Sequence, residues 1–241
     1  EEQWLKRAER ELQREKSLHK ENRQIITSGF FKACESCGLY PAEKEDRRPE
    51  GIRHICKSCH QKVAESKNYQ NTEINRELSK GRNGLDFPED FNGIGKASDP
   101  EGYMGFIYAD ANRMGEHLAK IKTFDDLERF SKDVSSATLN ATISAINNHF
   151  PNNFLPLQII LAGGDDLILA LPAHKAIDVA IDFCENFNTA PSTHNITTSA
   201  AVVICHDSLP IKNVLSTAES LLKNAKAESR KKEDGTSIDF I

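Results

Sequence analysis

The stretch Leu157-Gln-Ile-Ile-Leu-Ala-Gly-Gly-Asp-Asp-Leu-Ile-Leu-Ala-Leu171 carries the strongest structural signal in this chain. Two short apolar runs, 157–162 and 167–171, flank the turn Gly163-Gly164-Asp165-Asp166. Apolar runs of this length bounded by glycine and aspartate are typical of strands, and such a turn joins them as a hairpin. We therefore expect a β-hairpin with two carboxylates at its tip.

Apolar periodicity on both sides of the hairpin predicts the other elements of a domain over residues 101–241. These are a strand over 104–110, a helix over 123–150, a helix over 173–188, a strand over 197–205, a helix over 211–232 and a strand over 237–241. The order βαββαβ, then αβ, indicates an α+β, ferredoxin-like antiparallel sheet with helices on one face. In that topology the hairpin turn lies beside the carboxyl end of the first strand. Asp110 is therefore expected to meet Asp165 and Asp166 at one edge of the sheet.

Three clustered carboxylates repel one another unless a cation neutralises them. Oxygen ligands suit Mg²⁺ or Mn²⁺, and two such ions can activate a hydroxyl and stabilise the leaving oxygens of a phosphoryl displacement. Asp110, Asp165 and Asp166 are accordingly predicted as metal ligands and catalytic residues. The alternative is a hairpin that uses glycine and aspartate simply because turns favour them.

Other residues around the same edge are suited to binding a nucleotide. The two glycines permit a tight turn and let a phosphate approach the backbone, and amides after Asp110 can cradle a triphosphate. Lys226 and Arg230 lie four residues apart, hence on one helix face, and could clamp phosphates; alternatively they only decorate a helix C-terminus. The predicted nucleotide-binding residues are Ala111, Asn112, Met114, Gly115, Gly163, Gly164, Lys226 and Arg230.

Four cysteines have the spacing of a zinc site. Cys34-x2-Cys37 is followed after eighteen residues by Cys56-x2-Cys59, and two such turns complete the tetrahedron that Zn²⁺ prefers. The segment between them has too little apolar surface to fold unaided, so metal binding would supply its folding energy. We predict a structural zinc module over residues 29–66.

Other interpretations of these cysteines stay open. Cys56-Lys-Ser-Cys59-His60 also matches a haem-attachment signature, which requires export and leaves Cys34 and Cys37 unused. A redox disulfide pair is a second alternative, and His54 or His60 could replace one thiolate. The remaining cysteines, Cys184 and Cys205, lie in apolar patterns and are predicted to be buried thiols.

Composition limits the class of protein. Of 241 residues, 38% are hydrophobic and 28% charged, with a net charge of −5, which excludes a disordered chain and duplex nucleic-acid binding through global basicity. No apolar run is long enough to span a membrane and no signal-peptide pattern opens the chain, so we expect a cytoplasmic protein without membrane partners. The start at Glu1, without Met, indicates a piece of something longer. Residues 1–28 are expected to form a helical segment and 67–100 a linker.

Several motifs together resemble a known family. They are the strand Phe106–Asp110 with Met114-Gly115, the Gly163–Asp166 turn, the strand Thr198–His206 and the helix Ala218–Lys226. This set resembles the GGDD palm domain of the large polymerase/cyclase subunit of type III CRISPR effector complexes. That palm is related to diguanylate cyclases, whose last helix carries a Lys and, four residues on, an Arg that hold the triphosphate. Lys226 and Arg230 match that pair.

The resemblance implies synthesis of cyclic oligoadenylates from ATP as an antiviral second messenger. One 3′-hydroxyl would attack the α-phosphate of the next nucleotide and expel pyrophosphate, with two Mg²⁺ or Mn²⁺ ions held by Asp110, Asp165 and Asp166. The Ala111 carbonyl can add a ligand. The implied partners are ATP, other subunits with guide and target RNA, and a second palm, since such palms often work in pairs.

The chain departs from the family pattern at one acid. Members commonly show Asp-Gly-Asp-Asn-Met-Gly, whereas this chain has Asp110-Ala-Asn-Arg-Met-Gly115, so Asn112 stands in place of the second acid. Asparagine keeps an oxygen but loses the charge, which weakens a second metal or gives the position to base recognition. The competing hypotheses are a catalytically inactive palm scaffold that binds nucleotide or RNA, and a diguanylate cyclase. Against the latter, the turn ends Asp-Asp and Leu167 follows where those enzymes usually have Phe. His206-Asp207 ends a strand and is not interpreted as the family's nuclease pair.

Overall fold

The computed structural model describes residues 31–48, 51–66, 73–193, 195–231 and 235–241, with positions 7, 10, 11 and 14. The helical segment predicted for residues 1–28 lies outside the described residues except at those four positions. The chain divides into two compact units, Glu1–Glu73 and Ile74–Ile241. Among the described residues, none of the helices combines the length and the apolar character needed to cross a membrane.

The first unit is small and is organised around its cysteines. Strands β1 (Lys44–Arg48) and β2 (Gly51–Ile55) form an antiparallel hairpin, and helix α1 (Lys57–Ser66) follows. Its core consists of Ile55 and the cysteines, with Val63 packed alongside. Among the described residues of this unit the buried apolar core is small, and a metal ion shared by the cysteine sulfurs could stabilise it.

The second unit contains a five-stranded sheet with strand order β4-β5-β3-β6-β7. Neighbouring strands are antiparallel except for the parallel pair β6 and β7. This arrangement confirms the predicted α+β, ferredoxin-like sheet, with β3 at its centre. The strands are β3 (Tyr103–Ala111), β4 (Gln158–Gly163), β5 (Asp166–Pro172), β6 (Thr198–His206) and β7 (Ile238–Phe240).

The long helices begin and end close to where apolar periodicity places them. Thr123 caps the longest of the described helices by accepting a hydrogen bond from the Asp126 amide at 3.1 Å, which explains why this helix begins at Phe124. The helices are α2 (Glu73–Leu78), α3 (Phe91–Lys96), α4 (Met114–Leu118), α5 (Phe124–His149), α6 (Ala173–Thr189) and α7 (Ile211–Ser229).

The helices cover both faces of the sheet, so the expectation that they lie on one face is wrong. Helices α5 and α6 pack with Ile107, Leu169 and Val202 on one side. Helix α7 packs with Phe106 and Ala201 on the other. The reason is that β3 and β6 are apolar at successive positions, not alternate ones, and a central strand of that kind must be buried on both faces.

Residues 73–100 also differ from the predicted linker. Ile74 and Leu78 of α2 are buried in the core beneath α5 and α6, and Ile94 of α3 is buried in the core beneath α7. A few anchoring side chains therefore hold this polar, glycine-rich segment against the sheet, and the second unit begins well before residue 101.

Candidate active site

The register of β3 against β5 brings the predicted acids together. Ala109 pairs with Leu167, so Asp110 and Asp166 occupy the next position on the two neighbouring strands. Successive residues of a strand face opposite sides of the sheet. Since Ala109 and Leu167 are buried under α5 and α6, Asp110 and Asp166 face the side that α7 covers.

The turn that carries Asp165 is held by a residue that the sequence analysis missed. Gly163 pairs with Asp166, and Gly164 has a φ of +61°, a conformation that favours glycine at the first central position of a hairpin turn. The Thr138 hydroxyl of α5, fully buried, donates to the Gly164 carbonyl oxygen at 2.8 Å. The sequence signal that could have identified Thr138 is its position on the apolar face of a long helix, where a polar side chain needs a hydrogen-bond partner.

A cavity of about 350 Å³ opens where β3, the turn and the end of α7 meet. Most of the predicted site residues line it, together with two that were not predicted, Arg113 and Ser229. Of the described residues that were predicted for the site, Gly163, Gly164 and Asp166 lie outside this lining. A side chain added at either glycine would meet nothing within 4 Å, so both glycines border open space. The lining residues are Asp110, Ala111, Asn112, Arg113, Met114, Gly115, Asp165, Lys226, Ser229 and Arg230.

Lys226 is the cation in contact with the acids. Ala218, Leu222 and Ala225 bury one face of α7 against the sheet, and this packing brings Lys226 to the strand edge. Its ammonium donates to a carboxylate oxygen of Asp110, and to the Ala111 carbonyl oxygen at 2.9 Å. Lys226 thus contacts both oxygen donors at the end of β3.

The pKa values of Asp165 and Asp166 are raised even though Lys226 lies nearby. The pKa of Asp165 is raised to about 6, chiefly by burial, with smaller contributions from a hydrogen bond to Asp110 and from the charge of that residue. Burial and the charge of Asp110 also raise the pKa of Asp166, while Lys226 partly opposes the shift. Burial, with Asp166 and Asp110 next, raises the pKa of Tyr108. Burial is the largest cause of each shift, and the charges of neighbouring acids add to it; a divalent cation could neutralise those charges.

The chemistry of the donors fits Mg²⁺ or Mn²⁺. Asp110, Asp165 and Asp166 offer carboxylate oxygens, and Ala111 adds a carbonyl oxygen. Among the described residues, however, the four cysteines are the one group of three or more such ligands that stands close enough together to hold a metal ion. The carboxylates would have to close around an ion while Lys226 moves off Asp110.

Asn112 lies in the cavity wall, but its side chain is held by neighbours other than the carboxylates. Its oxygen accepts from the Ser199 hydroxyl at 3.0 Å, and its amide nitrogen donates to Thr197 and Gly235. The family resemblance implied a weakened second metal or base recognition at this position. The oxygen is already used within the fold.

The four cysteines of the first unit converge on one centre and could hold zinc. Their ligand atoms all lie within 4.8 Å of one another, and the Cys37 and Cys56 sulfurs are 3.8 Å apart. Gly38, with φ +67°, turns the chain so that its amide donates to the Cys34 carbonyl oxygen at 2.8 Å. Burial and neighbouring thiols raise the pKa of Cys59 to about 12, and a bound cation would favour its thiolate form. Both cysteine pairs are used and neither histidine belongs to the cluster, while Cys184 and Cys205 are buried as predicted.

Comparison with known proteins identifies the second unit. A sheet of this order with acids at the central strand end and hairpin tip defines a palm domain, and the family described as Cas10/Cmr2, second palm domain, matches residues 103–234. The chain belongs to this family, which confirms the resemblance to the large subunit of type III CRISPR effector complexes. No curated protein matches the chain.

Solved structures show the same palm fold. The Csm1-Csm4 cassette in complex with pppApA is 19% identical with a TM-score of 0.52, covering 57% of this chain and 21% of that chain. The cassette in complex with cA4 is 20% identical with a TM-score of 0.51 and the same coverage. Csm1 in T. onnurineus is 20% identical with a TM-score of 0.51, covering 58% of this chain and 21% of that chain. The chain therefore spans about a fifth of the length of these structures.

Proposed function

We propose that this palm is the nucleotidyltransferase of a CRISPR-type, RNA-guided antiviral complex in the cytoplasm, and that it makes cyclic oligoadenylates from ATP. The observation that carries the proposal is that Asp110 and Asp165 share one cavity with Lys226 and Arg230. Metal-binding acids and phosphate-binding cations thereby border the same space. The Csm1-Csm4 structures of similar fold were solved with pppApA and with cA4, which supports adenylate chemistry.

The side chains divide into an acidic and a basic part. Asp110, Asp165 and Asp166, with the Ala111 carbonyl, would hold two Mg²⁺ or Mn²⁺ ions. When bound, such ions lower the pKa of the attacking 3′-hydroxyl and stabilise the leaving oxygens.

The basic part would bind the triphosphate. Lys226 acts as a point charge, and Arg230 can hold two phosphate oxygens at once. The backbone of 111–115 borders the cavity, so its amides can approach the phosphates.

The size of the cavity bears on the second substrate. About 350 Å³ lies near the lower end of the range for small-molecule pockets, roughly 300–1,000 Å³. It suits one nucleotide, whereas the reaction joins two. We infer that the second nucleotide is presented by another palm, which makes palm–palm pairing part of the proposed mechanism.

The test uses the full-length protein in its complex with target RNA. With ATP and Mn²⁺ we expect oligoadenylate products by chromatography, and we expect Asp165→Ala to abolish them. Asp178→Ala, at an exposed position of α6, is the matched control and should retain them. Products that persist undiminished in Asp165→Ala would refute the proposal.

A non-catalytic palm is the second candidate, and one observation favours it. Asn112 replaces an acid, and its oxygen is already hydrogen-bonded to Ser199. Calorimetric titration with ATP and Mn²⁺ separates the two, because binding without turnover supports a nucleotide-binding or RNA-binding scaffold. Turnover of GTP in preference to ATP would instead favour a diguanylate cyclase.

In the first unit we propose a structural Zn²⁺ bound by Cys34, Cys37, Cys56 and Cys59. Four protein ligands leave no open coordination position, so this ion would stabilise the fold and take no part in catalysis.

A further inference from the structure

The side chain of Asn112 is buried and all of its hydrogen-bonding groups are engaged. Only 6% of the residue is exposed. Its amide nitrogen donates to the Gly235 carbonyl oxygen at 2.5 Å and to the Thr197 hydroxyl at 3.1 Å. Its oxygen accepts from the Ser199 hydroxyl at 3.0 Å. The carboxamide therefore connects the end of β3, the start of β6 and the segment that leads into β7.

The identity of the side chain matters because the Gly235 carbonyl can only accept. An amide nitrogen satisfies it, whereas a carboxylate at position 112 would place two acceptors face to face. The same carbonyl oxygen also accepts from the Thr197 hydroxyl at 2.9 Å. Asparagine is thus specified here by its donor, which an aspartate lacks.

Gly235 belongs to a segment held against the sheet beside the cavity. The Asn188 side chain donates to the Thr236 hydroxyl at 2.6 Å, and the Ala200 amide donates to the Ser237 carbonyl oxygen at 3.1 Å. Strand β7 then pairs in parallel with β6, with Ala200 opposite Ile238. These contacts fix residues 235–241 along the edge of the sheet.

The same segment contacts the end of α7, which supplies part of the cavity. A side chain placed on Gly235 would lie 3.0 Å from the Thr197 hydroxyl and 3.8 Å from the Ser229 carbonyl oxygen. Ser229, Arg230 and Asn112 all line the cavity. The segment that begins at Gly235 therefore lies beside two residues that line the cavity, Asn112 and Ser229.

We propose that Asn112 is a positioning residue that couples the segment 235–241 to the nucleotide cavity. By holding Gly235, it keeps the last turn of α7 where Lys226 and Arg230 can face Asp110. The inference rests on the proposed function, because it assumes that this cavity binds the triphosphate. Coupling between two sites is reciprocal. Displacing β7 therefore weakens nucleotide binding, and nucleotide binding protects residues 235–241 from exchange.

The test is Asn112→Asp in the full-length protein, which keeps the shape and removes the donor. We expect amide hydrogen exchange over 235–241 to become about tenfold faster without nucleotide, and AMPPNP to bind about tenfold more weakly, as for the loss of one buried hydrogen bond. Mn²⁺ affinity should not rise. Ser199→Ala, which spares the bond to Gly235, is the matched control and should leave exchange over 235–241 near the wild-type rate.

The opposite result would identify position 112 as part of the metal site, where an asparagine has replaced a metal-binding acid. Tighter Mn²⁺ binding by Asn112→Asp with unchanged exchange over 235–241 would overturn the proposal. If that variant does not fold, Asn112→Ala removes the same donor without burying a charge and should raise exchange over the same segment; unchanged exchange there also overturns the proposal. If the wild type binds no AMPPNP, the proposed function fails, while the exchange measurement still decides whether Asn112 holds the segment.

Discussion

The ammonium of Lys226 donates to the Asp110 carboxylate and, at 2.9 Å, to the Ala111 carbonyl oxygen. In the proposed function these oxygens bind a divalent cation. One site cannot hold an ammonium and a metal ion at contact distance, because the two like charges repel strongly in a partly buried environment. Lys226 must therefore leave Asp110 when metal binds, and the triphosphate offers it a new anionic partner. Metal and ATP should bind cooperatively for this reason.

Replacing Lys226 by Met tests this competition. Without nucleotide, we expect Lys226→Met to bind Mn²⁺ more tightly, by about fivefold to tenfold, since the competing cation is gone. AMPPNP should bind more weakly, because a phosphate contact is lost. Electron paramagnetic resonance titration of Mn²⁺ and calorimetry with AMPPNP measure the two effects separately.

The matched control is Lys223→Met on the same helix. Lys223 is exposed and does not line the cavity, so both affinities should remain at the wild-type values. Weaker Mn²⁺ binding by Lys226→Met would mean that Lys226 supports the metal site and does not compete with the ion.

The pKa of Asp165 predicts a pH-dependent stability. Its value is raised from 3.8 to about 6, so the folded state favours the protonated acid. The stabilising contribution is complete below pH 3.8 and is lost as the pH rises through 6. At pH 8 without added divalent ions, Asp165→Asn should therefore raise the melting temperature by about 2 °C, while at pH 4 it should have little effect.

Added Mn²⁺ should reverse the sign of this effect. Asparagine cannot supply the charge that the ion neutralises, so wild type should gain more stability from Mn²⁺ than Asp165→Asn does. Thermal unfolding at both pH values, with and without Mn²⁺, measures this, and Asp178→Asn controls for the loss of a surface charge. An equal gain from Mn²⁺ in both proteins would remove Asp165 from the metal site.

The elements of the palm could be read from the sequence because each has a clear local signal. Thr123 caps a long periodic helix, and the Gly163–Asp166 turn separates two apolar runs. The neighbouring positions of Asp110 and Asp166 followed from strand order alone, since a split-βαβ topology has few alternatives. Local sequence patterns were sufficient to predict an element wherever a single residue type, such as a capping threonine or a turn glycine, determines the backbone conformation.

Features that depend on packing between distant residues could not be read in this way. Burial of both faces of β3 depends on where α7 packs, and the position of Lys226 on Asp110 depends on that packing. Arg113 has a left-handed φ of +55° and lines the cavity, although arginine rarely adopts this conformation. The role proposed for Asn112 depends on its hydrogen bond to Gly235, more than a hundred residues away in sequence. No local pattern predicts such a contact.

Zinc removal should affect the two units differently. The core of the first unit consists largely of its cysteines, whereas the cores of the second unit contain many buried aliphatic and aromatic side chains. A chelator should therefore accelerate hydrogen exchange over residues 31–66 and leave 101–241 unchanged. Cys37→Ser should lower the zinc content measured by elemental analysis, while His60→Ala, at an exposed position outside the cluster, should not. Loss of protection throughout the chain would show that the units are not independent.

Thr138 of α5 donates a hydrogen bond to Gly164 in the hairpin turn. A substitution at Thr138 should therefore change the stability of the turn. Thr138→Val keeps the buried volume but removes the 2.8 Å bond to the Gly164 carbonyl oxygen, which should cost about 1 kcal/mol in the free energy of unfolding. Because the turn carries Asp165, we also expect faster hydrogen exchange over 163–166 and lower oligoadenylate synthesis. Thr142→Val is a close control, since Thr142 is equally buried but donates only to the Thr138 carbonyl oxygen within its own helix. If the two variants affect exchange at the turn equally, the bond to Gly164 does not position Asp165, and the loss of stability reflects packing within α5.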